Sequence, residues 1–157
     1  MVARKLTLVS SDDSESLVVK YNQLIARAEK AYFFGLQEKA SNTYKQAFDL
    51  SIQLLCSPNA NTVSVRRVAE VSSYRFDHCP VFDDSEEEFY LEVAANALED
   101  LVRADRDLAT RKAALQAYKS VACLACELVR FNQSMRCQLL IDQYVQIEMT
   151  HSKFLAN

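Results

Sequence analysis

The stretch LIARAEKAYFFGLQEKASNTYKQA, residues 24–47, contains two helical patterns separated by one glycine. On both sides of Gly35, small and apolar residues recur at three- and four-residue spacing, which is the spacing of one face of a helix. Glycine readily takes the left-handed conformation that ends helices. The stretch therefore predicts a helix, a tight turn at Gly35 and a second helix.

The same periodicity continues through the rest of the 157-residue chain, which has one glycine and two prolines. Sheets need turn residues that are scarce here, whereas good helix formers are abundant. Short connections favour antiparallel packing of successive helices. We therefore predict an all-α fold of six helices in three antiparallel hairpins, with a flexible arm at residues 1–12 and a single domain at 13–157. The predicted helices span residues 13–34, 37–56, 62–74, 85–103, 105–131 and 134–155.

The first predicted hairpin resembles a tetratricopeptide repeat, a helix–turn–helix unit of about 34 residues. Small residues of that family lie where its two helices touch, and a large aromatic residue fills the space beside them. The matching positions in this chain are Ala28, Ala40, Ala47 and Tyr44. The resemblance covers this helix pair alone, and the layout is also similar to some small bacterial helical-repeat proteins. It implies a tetratricopeptide-repeat-like (TPR-like) right-handed stack with a concave groove for a ligand.

Composition argues against several classes of function. The formal net charge is -3 and basic residues are not concentrated, which argues against nucleic-acid binding. No run of about 18 apolar residues is present, so we expect no membrane span. The five cysteines are an odd number, which favours reduced thiols and a cytoplasmic protein.

Two groups of residues could carry chemistry. Cys123 and Cys126 have the spacing of a metal or redox pair, but they lie within a predicted helix among apolar residues. We therefore expect them to be buried core thiols, with Cys126 facing Cys137 across the last hairpin. The second group is the segment from His78 to Asp84, which combines His, Cys and Asp and which we interpret as a turn before a helix.

No other pattern of catalytic or phosphate-binding residues is visible in the sequence. We therefore predict no enzymatic activity, no cofactor and no metal site.

The three consecutive aromatic residues Tyr32, Phe33 and Phe34 cannot all face one core, because neighbouring helix residues point about 100° apart. Either one of the two phenylalanines packs under the N-terminal arm or a neighbouring hairpin, or an exposed ring meets a partner. An exposed ring close to arginine would have the composition of a binding hot spot.

These observations favour a protein–protein interaction module, either an adaptor or a chaperone-like protein. If the repeat resemblance holds, it binds a peptide or a partner helix in its groove. The expected partner-binding residues are Asn22, Ile25, Glu29, Phe33, Arg66 and Arg67. The alternative is a structural homo-oligomer, such as a homodimer, that associates through the aromatic residues. A metal or cofactor binder using His78 and Cys79 is the third hypothesis, and the identity of the partner stays open.

Overall fold

The computed structural model describes residues 11–78 and 84–155. All regular structure in these ranges is helical, which confirms the predicted all-α class and the six predicted helices. Their bounds are α1 (Ser11–Phe33), α2 (Gln37–Leu55), α3 (Thr62–Asp77), α4 (Asp84–Arg103), α5 (Leu108–Asn132) and α6 (Met135–Leu155). Because α1 begins at Ser11, the helix includes the last two residues of the predicted arm, and residues 1–10 lie outside the described ranges.

Gly35 makes the turn between α1 and α2, as predicted. Its φ angle is +75°. Its N–H donates to the Tyr32 carbonyl at 2.9 Å, and the N–H of Leu36 donates to the Ala31 carbonyl at 2.9 Å. These two bonds form the Schellman arrangement that ends many helices. The chain reverses here, so that Ser14 near the start of α1 lies 3.5 Å from Ser57 beyond the end of α2, measured between their hydroxyl oxygens.

Side-chain caps set the starts of α3 and α5. The Asn61 side chain accepts hydrogen bonds from the N–H groups of Val63 and Ser64, and the Ser64 hydroxyl accepts from the Asn61 N–H. Asp107 accepts from both the N–H and the hydroxyl of Thr110, at 3.0 and 2.7 Å. Helix α5 consequently starts at Leu108, three residues later than predicted.

Helix α5 lies against three other helices, α3, α4 and α6. On the other side α1 packs against α2, and α2 packs against α3. Helix α3 contacts α5 over a much larger surface than it contacts α4, its successor in the chain. The pairs α1–α2 and α5–α6 are close neighbours, but α3 and α4 do not form an equally close pair, so the predicted stack of three hairpins is not confirmed.

Alternate helices run parallel, as two sets of contacts show. The Tyr21 hydroxyl donates to the Arg67 carbonyl, and the ring of Tyr32 lies 4.2 Å from that of His78. Both contacts join residues 46 positions apart, so α1 and α3 run in the same direction. On the far side, Arg136 pairs with Glu92 and Gln143 donates to Glu99. These contacts both join residues 44 apart and align α6 with α4.

Two arginines link parts of the chain that are far apart in the sequence or share few other contacts. Arg106 donates to the carbonyls of Ser57, Pro58 and Ala60, in the connection between α2 and α3. Arg75, near the end of α3, is buried and pairs with buried Glu87 in the first turns of α4. The contact area between α3 and α4 is small, and this ion pair is its principal polar link.

The apolar core runs through all six helices, and a smaller cluster lies between α1 and α2. The smaller cluster contains Ala28, Ala31, Ala40 and Tyr44, which places two of the predicted close-contact alanines together. Ala47 is also fully buried, but it belongs to the main core. No helix in the described ranges is both long enough and apolar enough to cross a bilayer.

Candidate functional site

The end of α1 and the turn that follows expose four large apolar side chains, which we call the aromatic end. They belong to Tyr32, Phe33, Phe34 and Leu36. Phe33 is 84% exposed and Phe34 is 65% exposed, and their rings meet edge to face with centroids 5.7 Å apart. Neither phenylalanine packs under a neighbouring helix pair, so that part of the alternative is wrong. Packing under the N-terminal arm falls on residues outside the described ranges.

Aromatic rings of α2 and the end of α3 pack next to the aromatic end. The His78 ring lies 4.2 Å from that of Tyr32 and is stacked on that of Tyr44 at 5.2 Å, with the planes 13° apart. Tyr74 lies 5.7 Å from Tyr44. Tyr44 is buried, and this burial raises the pKa of its phenol, with a further contribution from the carboxylate of Glu29. His78 thus serves as a packing residue that joins the ends of α1, α2 and α3.

The segment from His78 to Asp84, predicted to be a turn and named as a ligand source in the third hypothesis, lies only partly within the described ranges. Cys79, Pro80 and Asp83 lie outside the described residues, and for Asp84 only the backbone is described, at the start of α4. Within the described part of the chain, no three His, Cys, Asp or Glu side chains are grouped so that they could hold a metal ion.

Four of the predicted binding residues share one face of α1. Asn22, Ile25, Glu29 and Phe33 follow one another at steps of three, four and four residues, which keeps them on a single stripe. Asn22, Glu29 and Phe33 are exposed, and Ile25 is half-buried. Since α3 runs parallel to α1 beside Tyr21 and Tyr32, the stripe borders an open surface between these two helices, here called the α1–α3 surface.

The two predicted arginines lie at the other end of this surface. Arg67 is half-buried, and its guanidinium carbon is 5.9 Å from the centre of the Tyr21 ring. Arg66 is exposed. Tyr21 precedes Phe33 by twelve residues, or about 18 Å of helix. The expectation that the Phe33 ring lies beside Arg66 and Arg67 is therefore wrong: the surface has an arginine end and an aromatic end.

A groove at the arginine end was not foreseen from the sequence. It has a volume of about 540 Å³ and lies between the start of α1, the end of α2 and the start of α3. The apolar residues that line the groove include Val18, Val19 and Leu54, and Arg67 also lines it. The connection between α2 and α3 contributes Ser57, Asn59 and Asn61. Sequence periodicity identifies helix faces but not which loop closes beside them, which is why the groove was missed.

The cysteine predictions need correction. Cys123 and Cys126 are exposed free thiols, whereas Cys137 is buried. Helix α5 buries Val121, Ala122, Ala125 and Leu128 against its neighbours. Cys123 follows Ala122, and Cys126 follows Ala125. Successive side chains on a helix point about 100° apart, so both thiols point away from the core. Cys126 therefore does not share the buried environment of Cys137, and desolvation raises the pKa of both thiols.

Comparisons with models of known protein families, with curated proteins and with solved structures found no match for this chain.

Proposed function

We propose that this chain is a protein-binding module, an adaptor or a chaperone-like protein, that holds a peptide or a partner helix on the α1–α3 surface. The observation that carries the proposal is the aromatic end, where Phe33 and Phe34 are exposed beside Tyr32, whose ring packs against that of His78. Exposed aromatic side chains on a fixed scaffold are the typical anchors of protein interfaces. The proposal includes the TPR-like character of the first helix pair, which the buried contact of Ala28 with Ala40 and Tyr44 supports.

The charges on the α1–α3 surface define the kind of ligand that fits it. Arg66 and Arg67 lie at one end, and Glu29 lies near the aromatic end. The intervening stretch is about 18 Å long, which corresponds to about twelve helical residues or about five extended ones. A complementary ligand carries an acidic group at one end and an apolar anchor at the other.

Neither catalysis nor a cofactor is part of this proposal, and we place the protein in the cytoplasm. The exposed thiols of Cys56, Cys123 and Cys126 support that location, because exposed unpaired cysteines are typical of reducing compartments.

The proposal can be tested with a peptide display library selected on the purified protein. The selected peptides are then titrated against the parent, against Phe33→Ala and against Phe131→Ala. Phe131 is a matched control because it is an exposed ring on a different helix, 74% exposed against 84% for Phe33. We expect Phe33→Ala to weaken binding about 30-fold, as for a hot spot of about 2 kcal/mol, and Phe131→Ala to leave it unchanged.

Two outcomes would contradict the proposal. One is a set of peptides that binds Phe33→Ala as tightly as it binds the parent. The other is a loss of melting temperature in Phe33→Ala large enough to place the ring in the core. A parent protein that self-associates, and becomes monomeric in Phe33→Ala, would instead support the alternative of a homo-oligomer formed through the aromatic end.

A further inference from the structure

Helix α6 carries apolar side chains on two opposite sides. One side is buried against α5 and includes Cys137, Leu140, Tyr144 and Ile147. The other side faces solvent and includes Met135, Leu139, Val145 and Met149, which are 76%, 61%, 44% and 72% exposed. The apolar and polar residues of α6 are less segregated than in the other five helices. Polar residues separate these exposed apolar side chains, and contiguous exposed apolar side chains often mark an interaction site.

Three exposed apolar residues of α6, Met135, Leu139 and Met149, share with three polar ones a line along the helix that has the spacing of a coiled-coil seam. The six residues that form it are Met135, Leu139, Asp142, Gln146, Met149 and Lys153, and we call them the α6 seam. All six are exposed, and they follow one another at alternating steps of four and three residues. That alternation is the seven-residue period by which two helices pack along a common line. The seam is about 27 Å long.

When two α6 seams are placed antiparallel, apolar residues face apolar residues near the centre and polar residues face polar ones. We propose that α6 pairs with α6 of a second copy of this chain, antiparallel, about a two-fold axis that crosses the seam midway between Asp142 and Gln146. Leu139 then faces Met149 of the second copy, and Asp142 faces Gln146 of the second copy. At the ends Met135 faces Lys153 of the second copy, whose aliphatic stem can cover the methionine while its ammonium group stays in water. Such a contact uses the same surface on both copies, as two-fold interfaces do.

Charge decides between the antiparallel and the parallel arrangement. In a parallel pair each residue would face itself, so Asp142 would oppose Asp142 and Lys153 would oppose Lys153. In the antiparallel pair, a carboxylate meets an amide that can donate to it. Asp142 already accepts a hydrogen bond from Gln138 of its own helix at 3.0 Å, and it retains further acceptor positions.

The residues flanking the seam are compatible with the same arrangement. Val145 lies next to the proposed axis, so it would face Val145 of the second copy and extend the apolar contact. On the opposite flank, Arg136 and Gln143 are already held by Glu92 and Glu99 of α4. These side chains are therefore fixed beside the seam and do not compete for its contacts. A single helix pair is a small interface, and we expect a dissociation constant on the order of 10 µM.

Sedimentation equilibrium of the full chain tests the proposal through a charge exchange. Leu139→Glu and Met149→Lys each place two charges in the apolar layer and should yield a monomer. The double variant Leu139→Glu/Met149→Lys pairs each glutamate with a lysine of the other copy, and it should recover the dimer. Because both residues are exposed in one copy, circular dichroism should show the parent helix content in all three variants.

Several results would overturn the proposal. A parent that stays monomeric up to about 100 µM would exclude the expected affinity. A double variant that stays monomeric would contradict the antiparallel register. A dimer that tolerates both single variants would use another surface, and one that instead dissociates in Phe33→Ala would use the aromatic end. Peptide binding at Phe33 is measured separately, so failure here leaves the proposed function untouched.

Discussion

The guanidinium carbon of Arg75 lies 3.4 Å from the centre of the Tyr90 ring, so that a buried cation of α3 is stacked on an aromatic residue of α4. The same guanidinium is 3.1 Å from the carboxylate of Glu87, which is also buried. Ring, cation and carboxylate together join two helices that otherwise share little contact area.

Replacing Glu87 by Ala should lower the free energy of unfolding by up to about 3–5 kcal/mol, because it removes the buried carboxylate closest to the Arg75 charge and leaves the more exposed Glu86 at 3.9 Å. Glu92→Ala is the matched control, since it breaks the more exposed pair with Arg136 and should cost no more than about 1 kcal/mol. Urea unfolding of the three proteins measures both values. Equal losses would show that Arg75 finds water or another partner when Glu87 is absent.

Replacing Ala40 by Leu should overpack the contact between α1 and α2 and cost about 1–3 kcal/mol of stability. Ala40 is fully buried in a cluster with Ala28 and Tyr44, so a larger side chain must displace its neighbours. Ala26→Leu, at an exposed position of α1, is the control and should change stability by less than about 0.5 kcal/mol. If both variants melt like the parent, the tight helix contact implied by the repeat resemblance is absent.

The thiols should divide into two classes toward an alkylating reagent. Cys56, Cys123 and Cys126 are exposed and should react with iodoacetamide in the folded protein. Cys137 is buried, so the reagent cannot reach its thiol in the folded protein and it should react only after unfolding. Peptide mass spectrometry with and without urea identifies each site. Rapid labelling of Cys137 in the folded protein would mean that α6 detaches from α5 under native conditions.

Local sequence signals predicted the helices well because each helix is specified by residues close in the chain. The turn at Gly35 follows from one residue and its immediate neighbours, and it is present. The start of α5 was misplaced because Asp105 and Asp107 are both possible caps. Thr110, three residues after Asp107, decides between them by donating both of its hydrogen bonds to that side chain.

Contacts between distant residues could not be predicted in the same way. Arg106 reaches carbonyls nearly fifty positions earlier, and α3 packs against α5 in preference to its neighbour α4. One signal was available for the buried cation, since Arg75 follows Val68 and Val71 at helical spacing on the buried face. For the candidate site, the sequence identified the exposed Phe33 but not its distance from Arg67. That distance depends on the parallel register of α1 and α3, which no local pattern encodes.

Tyr118 should make the protein lose stability at alkaline pH. The phenol is 1% exposed, and burial raises its pKa to about 12 from an ordinary value near 10, with a further contribution from the carboxylate of Glu99. Because the pKa is higher in the folded state, this contribution to stability is fully present below about pH 10 and is lost as the pH rises toward 12. The loss should reach about 2–3 kcal/mol at pH 12, at 1.36 kcal/mol for each unit of pKa difference.

Tyr118→Phe has no proton to lose and should show a shallower decline of stability between about pH 10 and pH 12. Part of the decline in stability should remain in the variant, because the pKa values of Tyr144 and Tyr21 are also raised. Tyr32→Phe is the control, because it makes the same substitution at a ring that is 49% exposed. Urea unfolding at a series of pH values provides the comparison. Parallel curves for the parent and Tyr118→Phe would mean that the phenol of Tyr118 reaches solvent in the folded protein. The contact between α5 and α6 would then be looser than the 5.4 Å separation of the Tyr118 and Tyr144 rings indicates.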